Sequence, residues 1–116
     1  MRSSWSVFTE PRAEAKALAV FERVLRELGG EPWNRSIEPY PKTGSFVIRF
    51  EIELGGGAWN DCVVEVIEMG QRVAHAWTLT GDIRDDPSGW SNEPTTPGIK
   101  AVTWVLIRPQ EGERMS

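Results

Sequence analysis

The sequence has very little cysteine, histidine or tyrosine, with one of each in 116 residues. Cys62 has no second cysteine with which to form an internal disulfide. A zinc site would have to be assembled mainly from carboxylates, which zinc seldom prefers. No apolar run is long enough to cross a bilayer, and residues 1–5 do not resemble the start of a signal peptide. We therefore expect a cytoplasmic protein that has no cofactor or metal and does not bind membranes.

Negative charge is concentrated in the middle of the chain. The formal net charge is −4, and residues 1–50 carry eight basic and six acidic side chains. Residues 51–93, in contrast, carry nine acidic and two basic side chains. Clustered lysines and arginines bind phosphate backbones, so this distribution argues against a nucleic-acid-binding protein. It favours a basic protein partner, which opposite charge would attract.

The clearest periodicity predicts one amphipathic helix over residues 11–28. Thr9 is expected to cap its N-terminus, and Gly29-Gly30 to end it in the left-handed conformation. Apolar residues recur at helical spacing along one stripe: Ala13, Ala17, Leu18, Val20, Phe21, Val24, Leu25 and Leu28.

Alternating apolar and polar side chains predict the strands. We expect strands over 4–8, 46–54 and 99–108 and an edge strand over 33–37, where prolines flank the segment. Two further segments, 62–69 and 72–80, are interpreted as the arms of a hairpin that turns at Gly70-Gln71. Residues 81–98 are expected to form a long irregular loop, and residues 110–116 a flexible tail.

These elements predict one α+β domain over residues 1–116, in which an N-terminal amphipathic helix packs on a four- to five-stranded antiparallel sheet. One helix covers only one face of such a sheet. The other face needs a cover, which loops, a second copy of the chain or a partner would supply. Residues 99–108 are apolar on both faces, so a homodimer is one way to bury them.

No catalytic signature is complete. His75 alternates in register with Val73, Trp77 and Leu79, as a core or edge histidine does. Cys62 opens a run of valines, where a thiol usually fills apolar space. The triglycine 55–57 follows a strand but completes no phosphate-binding motif, and we expect no helix after it. The acidic cluster at 82–86 lacks the alternating spacing of a calcium-binding loop.

Tryptophan is the residue that stands out, with six in the chain. Trp5, Trp77 and Trp104 fall in predicted strands and are expected in the core. Trp59 and Trp90 fall in predicted loops, where each either folds back over the bare sheet face or meets a partner. Aromatic side chains near carboxylates are typical of a binding site for a basic protein.

Two functional hypotheses follow. The leading one is a small non-enzymatic inhibitor or immunity-type protein that blocks the active site of a basic, nuclease-like toxin. The candidate partner-binding residues are Trp59, Asp82, Asp85, Asp86, Trp90 and Glu93. The alternative is a small-molecule-binding or cofactor-free catalytic domain with an aromatic pocket. The candidate lining residues of that pocket are Phe50, His75, Trp77 and Trp104.

Overall fold

A computed structural model of the chain describes residues 1–55 and 57–107, so the predicted tail at 110–116 lies outside the described residues. The elements in chain order are β1 (Arg2–Thr9), α1 (Glu14–Leu28), β2 (Pro32–Tyr40), β3 (Ser45–Glu53), α2 (Trp59–Gln71), β4 (Ala74–His75), β5 (Thr78–Thr80), β6 (Ser88–Ser91), β7 (Glu93–Pro94) and β8 (Ile99–Ile107).

The main sheet has six antiparallel strands in the order β2-β3-β1-β8-β6-β5, and β4 pairs with β7 in a separate short ladder. The predicted α+β class is therefore confirmed. The described residues contain two helices and six main-sheet strands, where the sequence predicted one helix and four or five strands. Neither helix is long and apolar enough to span a bilayer.

Strand β1 lies in the middle of the sheet and shows why alternation specifies a half-buried strand. Trp5 is paired with Phe50 on one side and with Trp104 on the other, and all three side chains are buried. The Trp5 indole N–H donates to Ser3 Oγ at 2.8 Å, and Ser3 Oγ donates to the Ile52 carbonyl at 3.2 Å. The buried polar atoms of this layer are thereby satisfied, as a low-dielectric core requires.

Helix α1 packs as its periodicity predicts, with Ala17, Val20, Phe21, Val24 and Leu28 buried. Gly29 ends it with φ 76°, a left-handed conformation that glycine adopts without a Cβ penalty. Two details of the prediction are wrong. Thr9 does not cap the helix, because it is the last residue of β1 and its hydroxyl donates to the Phe46 carbonyl at 2.9 Å. Leu18 is exposed, because it lies beside the stripe that faces the sheet.

The predicted strand over 62–69 is wrong, because these residues belong to α2. The residues that α2 buries are Cys62, Val63, Val66, Met69 and Gly70, which recur with helical spacing. Val64 and Val66 would share a face in a strand, but Val64 is exposed and Val66 is fully buried. The expectation that no helix follows the triglycine is also wrong, since α2 begins at Trp59.

The segment that follows α2 also differs from the predicted hairpin. The predicted strand over 72–80 divides into β4 and β5, and between them Ala76 adopts φ 50°. Residues 81–98, predicted as an irregular loop, contain β6 and β7. Trp59 and Trp90, predicted in loops, lie in α2 and β6 respectively.

Candidate protein-binding surface

Both helices pack on the same face of the main sheet. Their buried residues join one core with the inward-facing side chains of β1, β3 and β8. We call this the inner face and the opposite side the outer face. No helix in the described part of the chain covers the outer face. The apolar side chains on that face are therefore not buried by either helix.

An apolar patch lies on the outer face of β6 and β8. Trp90 is paired with Thr103 of β8 and with Thr78 of β5, and its side chain is 44% exposed. Val105 and Ile107 point outward from β8 and are 44% and 39% exposed. We call Trp90, Val105 and Ile107 the apolar patch. Val105 is two residues from Thr103, the partner of Trp90, and Ile107 continues the same outward row. A tryptophan beside a row of branched aliphatic side chains has the composition of a protein-binding anchor.

Small hydroxyl side chains surround the apolar patch. Thr80 and Ser88 face each other across β5 and β6, and their Oγ atoms are 2.6 Å apart. The cross-strand register places further hydroxyls on the outer face, at Ser4, Ser6, Thr78 and Thr103. Because these side chains are short, they do not cover the indole of Trp90, which is therefore accessible to a partner.

The three predicted aspartates lie together in the turn that joins β5 to β6. The backbone N–H groups of Asp85 and Asp86 donate to the Asp82 carbonyl at 2.9 and 2.8 Å. Asp86 Oδ1 in turn accepts a hydrogen bond from the Asp82 N–H at 2.9 Å. Asp82 Oδ1 accepts from the Arg84 N–H at 2.9 Å and lies 3.6 Å from Arg84 Nε. We call residues 82–86 the acidic turn; it carries three carboxylates and one guanidinium.

The acidic turn lies next to the apolar patch along the chain and across the sheet. It leads directly into β6, where Ser88 is paired with Val105 of the patch. Trp90 follows Ser88 by two residues and therefore points to the same side of the sheet. Trp90 and the three aspartates therefore belong to the same β5–β6 hairpin, at one edge of the main sheet.

Trp59 lies on the other side of the sheet. It is the first residue of α2, is half-buried and packs against the core beneath the inner face. Its indole N–H donates to the Ile83 carbonyl at 2.8 Å, which attaches α2 to the acidic turn. Trp59 and Trp90 therefore do not form one aromatic surface, and Trp59 holds the turn in place.

Glu93 is also separate from the apolar patch. It lies in β7 and is paired with His75 of β4 in the short ladder. Ser91 Oγ accepts a hydrogen bond from the Glu93 N–H at 3.1 Å and donates to the His75 carbonyl. The six candidate residues thus divide into Trp90 with the acidic turn, Trp59 behind that turn, and Glu93 on the ladder.

Carboxylates of β3 on the outer face are paired with cations, and one of these cations, Arg2, is the cross-strand partner of Ile107 in the apolar patch. Arg2 Nε lies 3.1 Å from Glu53 Oε2, and Arg2 Nη1 lies 3.4 Å from Glu51 Oε1. Partial burial acts to raise the pKa of Glu53, but the hydrogen bonds from Arg2 and the Met1 amino group outweigh it and hold that pKa below its ordinary value. Arg2 also lies over the Trp33 ring, 4.6 Å from its centroid. The charges of Arg2, Glu51 and Glu53 are therefore largely paired with one another, whereas the acidic turn carries three carboxylates and one guanidinium.

Comparison with protein-family models, with curated proteins and with solved structures found no match to this chain. Its function is therefore inferred from its own geometry.

Nucleophilic and metal chemistry find little support. Cys62 is fully buried, and desolvation raises the pKa of its thiol, which disfavours the reactive thiolate. The triglycine loop that precedes α2 also offers little to a phosphate, because the Gly55 N–H already donates to Glu65 Oε1 at 3.0 Å. Within residues 1–55 and 57–107, no group of three or more His, Cys, Asp and Glu side chains is placed to hold a metal ion.

A cavity of about 420 Å³ lies beneath the inner face beside β5. The lining residues are Ile67, Gln71, Ala74, His75, Ala76, Trp77, Leu79 and Trp104. Three of the four residues proposed for an aromatic pocket are among them, whereas Phe50 is buried in the core. A volume of this size falls in the range of small-molecule sites.

Val105 and Ile107 belong to the surface but are not among the residues that the sequence predicts for it. They lie in the segment 99–108, which is apolar on both faces, and this pattern alone does not indicate which face the helices cover. Once the inner face is known to hold Val102, Trp104 and Leu106, the alternate residues must point outward.

Proposed function

We propose that this chain is a small non-enzymatic inhibitor of the immunity type, which binds a basic toxin domain and covers its active site. The observation that carries the proposal is the exposed apolar patch of Trp90, Val105 and Ile107 on the outer face, together with the acidic turn that leads into the strand of Trp90. Burying the patch would supply affinity, and the carboxylates would select a partner of opposite charge.

The charge distribution favours a basic partner. The acidic turn holds three carboxylates and one guanidinium, within a segment that has nine acidic and two basic residues from 51 to 93. The cations of the outer face, Arg2 and Arg49, are engaged with Glu53 and Glu38. Long-range attraction accelerates the encounter of such surfaces and weakens as salt screens it.

The backbone geometry favours binding through the face of the sheet. β5, one edge strand, has only three residues. β2, the other edge strand, begins at Pro32, contains Pro39 and has an irregular register between Trp33 and Ser36. Such edges resist the addition of a further strand. A partner is therefore expected to use side chains of the outer face.

The decisive experiment uses the protein encoded by the gene beside this one, since an immunity gene normally lies next to its toxin gene. The purified pair should form a stoichiometric complex in which the toxin's nuclease activity is lost. Trp90→Ala should weaken the complex by about 30-fold or more, as loss of a central tryptophan anchor does. Trp33→Ala is the matched control, because it removes a 51%-exposed tryptophan from β2, which lies three strands away from β8 in the sheet. Equal effects of the two substitutions would contradict the proposed surface.

The electrostatic component has its own test. The double substitution Asp85→Asn and Asp86→Asn should lower the association rate, and the difference from wild type should shrink as ionic strength rises. A control that removes two exposed carboxylates elsewhere, Glu22→Gln with Glu31→Gln, should have a smaller effect. An association rate that does not depend on salt would remove the acidic turn from the proposal.

The cavity beneath the inner face favours a second candidate function, a small-molecule-binding or catalytic domain. Its walls include two indoles, Trp77 and Trp104, with His75 at the same site. A ligand there should quench tryptophan fluorescence in a saturable way, and Leu79→Trp should abolish quenching by filling the cavity. Binding that survives Leu79→Trp would place the ligand elsewhere. A homodimer through the outer face is tested separately by sedimentation, since Trp90→Ala should then shift the protein from dimer to monomer.

A further inference from the structure

An arginine-lined groove lies on the helix side of the molecule, away from the outer face. Three elements form this groove: the end of α1, the residue that follows α2 and the segment between β7 and β8. Its volume is about 300 Å³, and its lining residues are Arg23, Arg26, Glu27, Arg72, Thr95, Thr96 and Pro97. Three arginines and one glutamate thus line the same groove in a chain whose net charge is −4.

We propose that this groove, the arginine groove, binds a small phosphate monoester. Guanidinium groups bind phosphate oxygens through paired N–H donors, and several of them together compensate the charge of a dianion. A groove of 300 Å³ lies at the lower end of small-molecule sites, which suits a phosphate carrying a small organic group. The proposal does not depend on the proposed toxin-inhibitor function, because the two surfaces lie on opposite sides of the sheet.

Arg72 is held in position before any ligand binds. Its Nη1 donates to the Leu28 carbonyl at 3.2 Å, at the C-terminus of α1. Its own carbonyl accepts from Thr95 Oγ1 at 3.4 Å, and the Thr95 N–H donates to the Val73 carbonyl at 2.9 Å. These contacts join the three elements that form the groove. Since one guanidinium is already oriented, less side-chain entropy is lost on binding.

Arg23 and Arg26 supply the second side of the arginine groove. They are three residues apart, so their side chains lie on the same face of α1. Within the described ranges, neither has a carboxylate oxygen within 4.0 Å. Neither arginine is therefore held in an ion pair by Glu27, which lines the same groove, or by Glu22, four residues before Arg26.

A simpler role for these residues would be to offset the negative end of the α1 dipole. That role accounts for Arg26 in the last turn and for the bond from Arg72 to Leu28. It does not account for Arg23, which lies earlier in the helix yet lines the same groove. The two roles also differ in outcome, because a dipole partner stabilises the helix without creating a saturable anion site.

The test is a titration with inorganic phosphate and with glycerol phosphate, followed by amide chemical shifts at constant ionic strength. We expect saturable 1:1 binding with the largest shifts at Arg23, Arg26, Arg72 and Thr95. Arg23→Gln with Arg26→Gln should weaken binding at least about tenfold. The matched control, Arg12→Gln with Lys16→Gln, removes the same charge just before and within the first turn of α1, and should change binding by less than about twofold.

A second variant tests the sign of the electrostatics. Glu27→Gln removes the one carboxylate of the arginine groove and should tighten phosphate binding by about three- to fivefold. Circular dichroism should be unchanged in all these variants, because the substituted side chains are exposed. Equal weakening by the two double substitutions, shifts that do not saturate, or binding seen only with a single-stranded oligonucleotide would each overturn the proposal.

Discussion

Substituting Gly89 by alanine is expected to destabilise the protein, against the usual rule for strands. Glycine in a strand interior costs roughly 0.5–1 kcal/mol relative to alanine, so Gly89→Ala would ordinarily stabilise β6 by that amount. Here the added Cβ would lie 2.8 Å from Cε2 and Nε1 of Trp104 and 3.0 Å from its Cζ2. Real Cβ atoms do not approach other atoms so closely, so either the ring or the strand must move.

The magnitude follows from how firmly the indole is held. Trp104 is 1% exposed and is paired with Trp5 of the central strand, so any shift of its ring other than toward the cavity that it lines would disturb the core. Overpacking of this kind costs about 1–3 kcal/mol. The clash therefore outweighs the gain in β6, and we expect a net loss of about 1–2 kcal/mol in the free energy of unfolding. The midpoint of thermal unfolding should fall by at least about 4 °C.

Urea unfolding followed by tryptophan fluorescence measures the change. Gly57→Ala is the control, because a Cβ there would meet nothing within 4 Å and should alter stability by less than about 0.5 kcal/mol. Trp104→Phe removes the ring atoms that clash, so the double variant should be less destabilised than the sum of the single variants. If Gly89→Ala were as stable as wild type, the reasoning about a fixed indole would be refuted.

Three other predictions concern separate parts of the molecule. Trp90→Ala should lower the free energy of unfolding by less than about 1 kcal/mol, because the Trp90 side chain is 44% exposed. Trp5→Ala, measured by the same chemical denaturation, should lower it by about 3–5 kcal/mol. Similar losses for the two variants would contradict the assignment of Trp90 to the surface. Because the pKa of Glu53 is lowered in the folded protein, its contribution is present above the unfolded-state pKa and lost as pH falls through the folded value. Glu53→Gln should therefore be less stable than wild type at neutral pH by under about 1 kcal/mol, and a difference that persisted near pH 2 would argue against this linkage. Cys62 should react with a disulfide reagent at least about 100-fold more slowly in the folded protein than in urea, and equal rates would show that the thiol is accessible.

The elements that the sequence predicted best are those in which one periodicity is unambiguous. In β3, Ile48, Phe50 and Ile52 alternate with charged residues, and in α1 the buried residues recur every three or four positions. In both elements only one face is buried, so the spacing of the apolar residues indicates directly whether the segment is a strand or a helix.

Helix α2 was missed because its composition and its periodicity disagree. Its valines favour a strand, since β-branched side chains lose rotamer freedom in a helix. The spacing of Cys62, Val66 and Met69 and the exposed carboxylates of Asp61 and Glu68 nevertheless fit a helix. Packing against the core overrode the local preference, as it does for many β-branched helices.

The sequence predicts which residues are candidates for the binding surface, but it does not predict which of them lie together in the fold. The clustering of Asp82, Asp85 and Asp86 follows from their proximity in sequence. The separation of Trp59 from Trp90 does not, because it depends on a helix covering one face and on the register of β6 with β8. A shift of one residue in that register would have turned Trp90 inward.

The position of β1 also has a consequence for the order of folding. This strand, first in the chain, completes its pairing only with β8, so Trp5 meets Trp104 across about 100 intervening residues. Closing so long a loop has an entropic cost before its contacts form, and topologies of this kind fold in milliseconds to seconds. During synthesis, β1 can pair with β3 early, but its other edge stays open until β8 has been made, so we expect the pairing of β1 with β8 to form late.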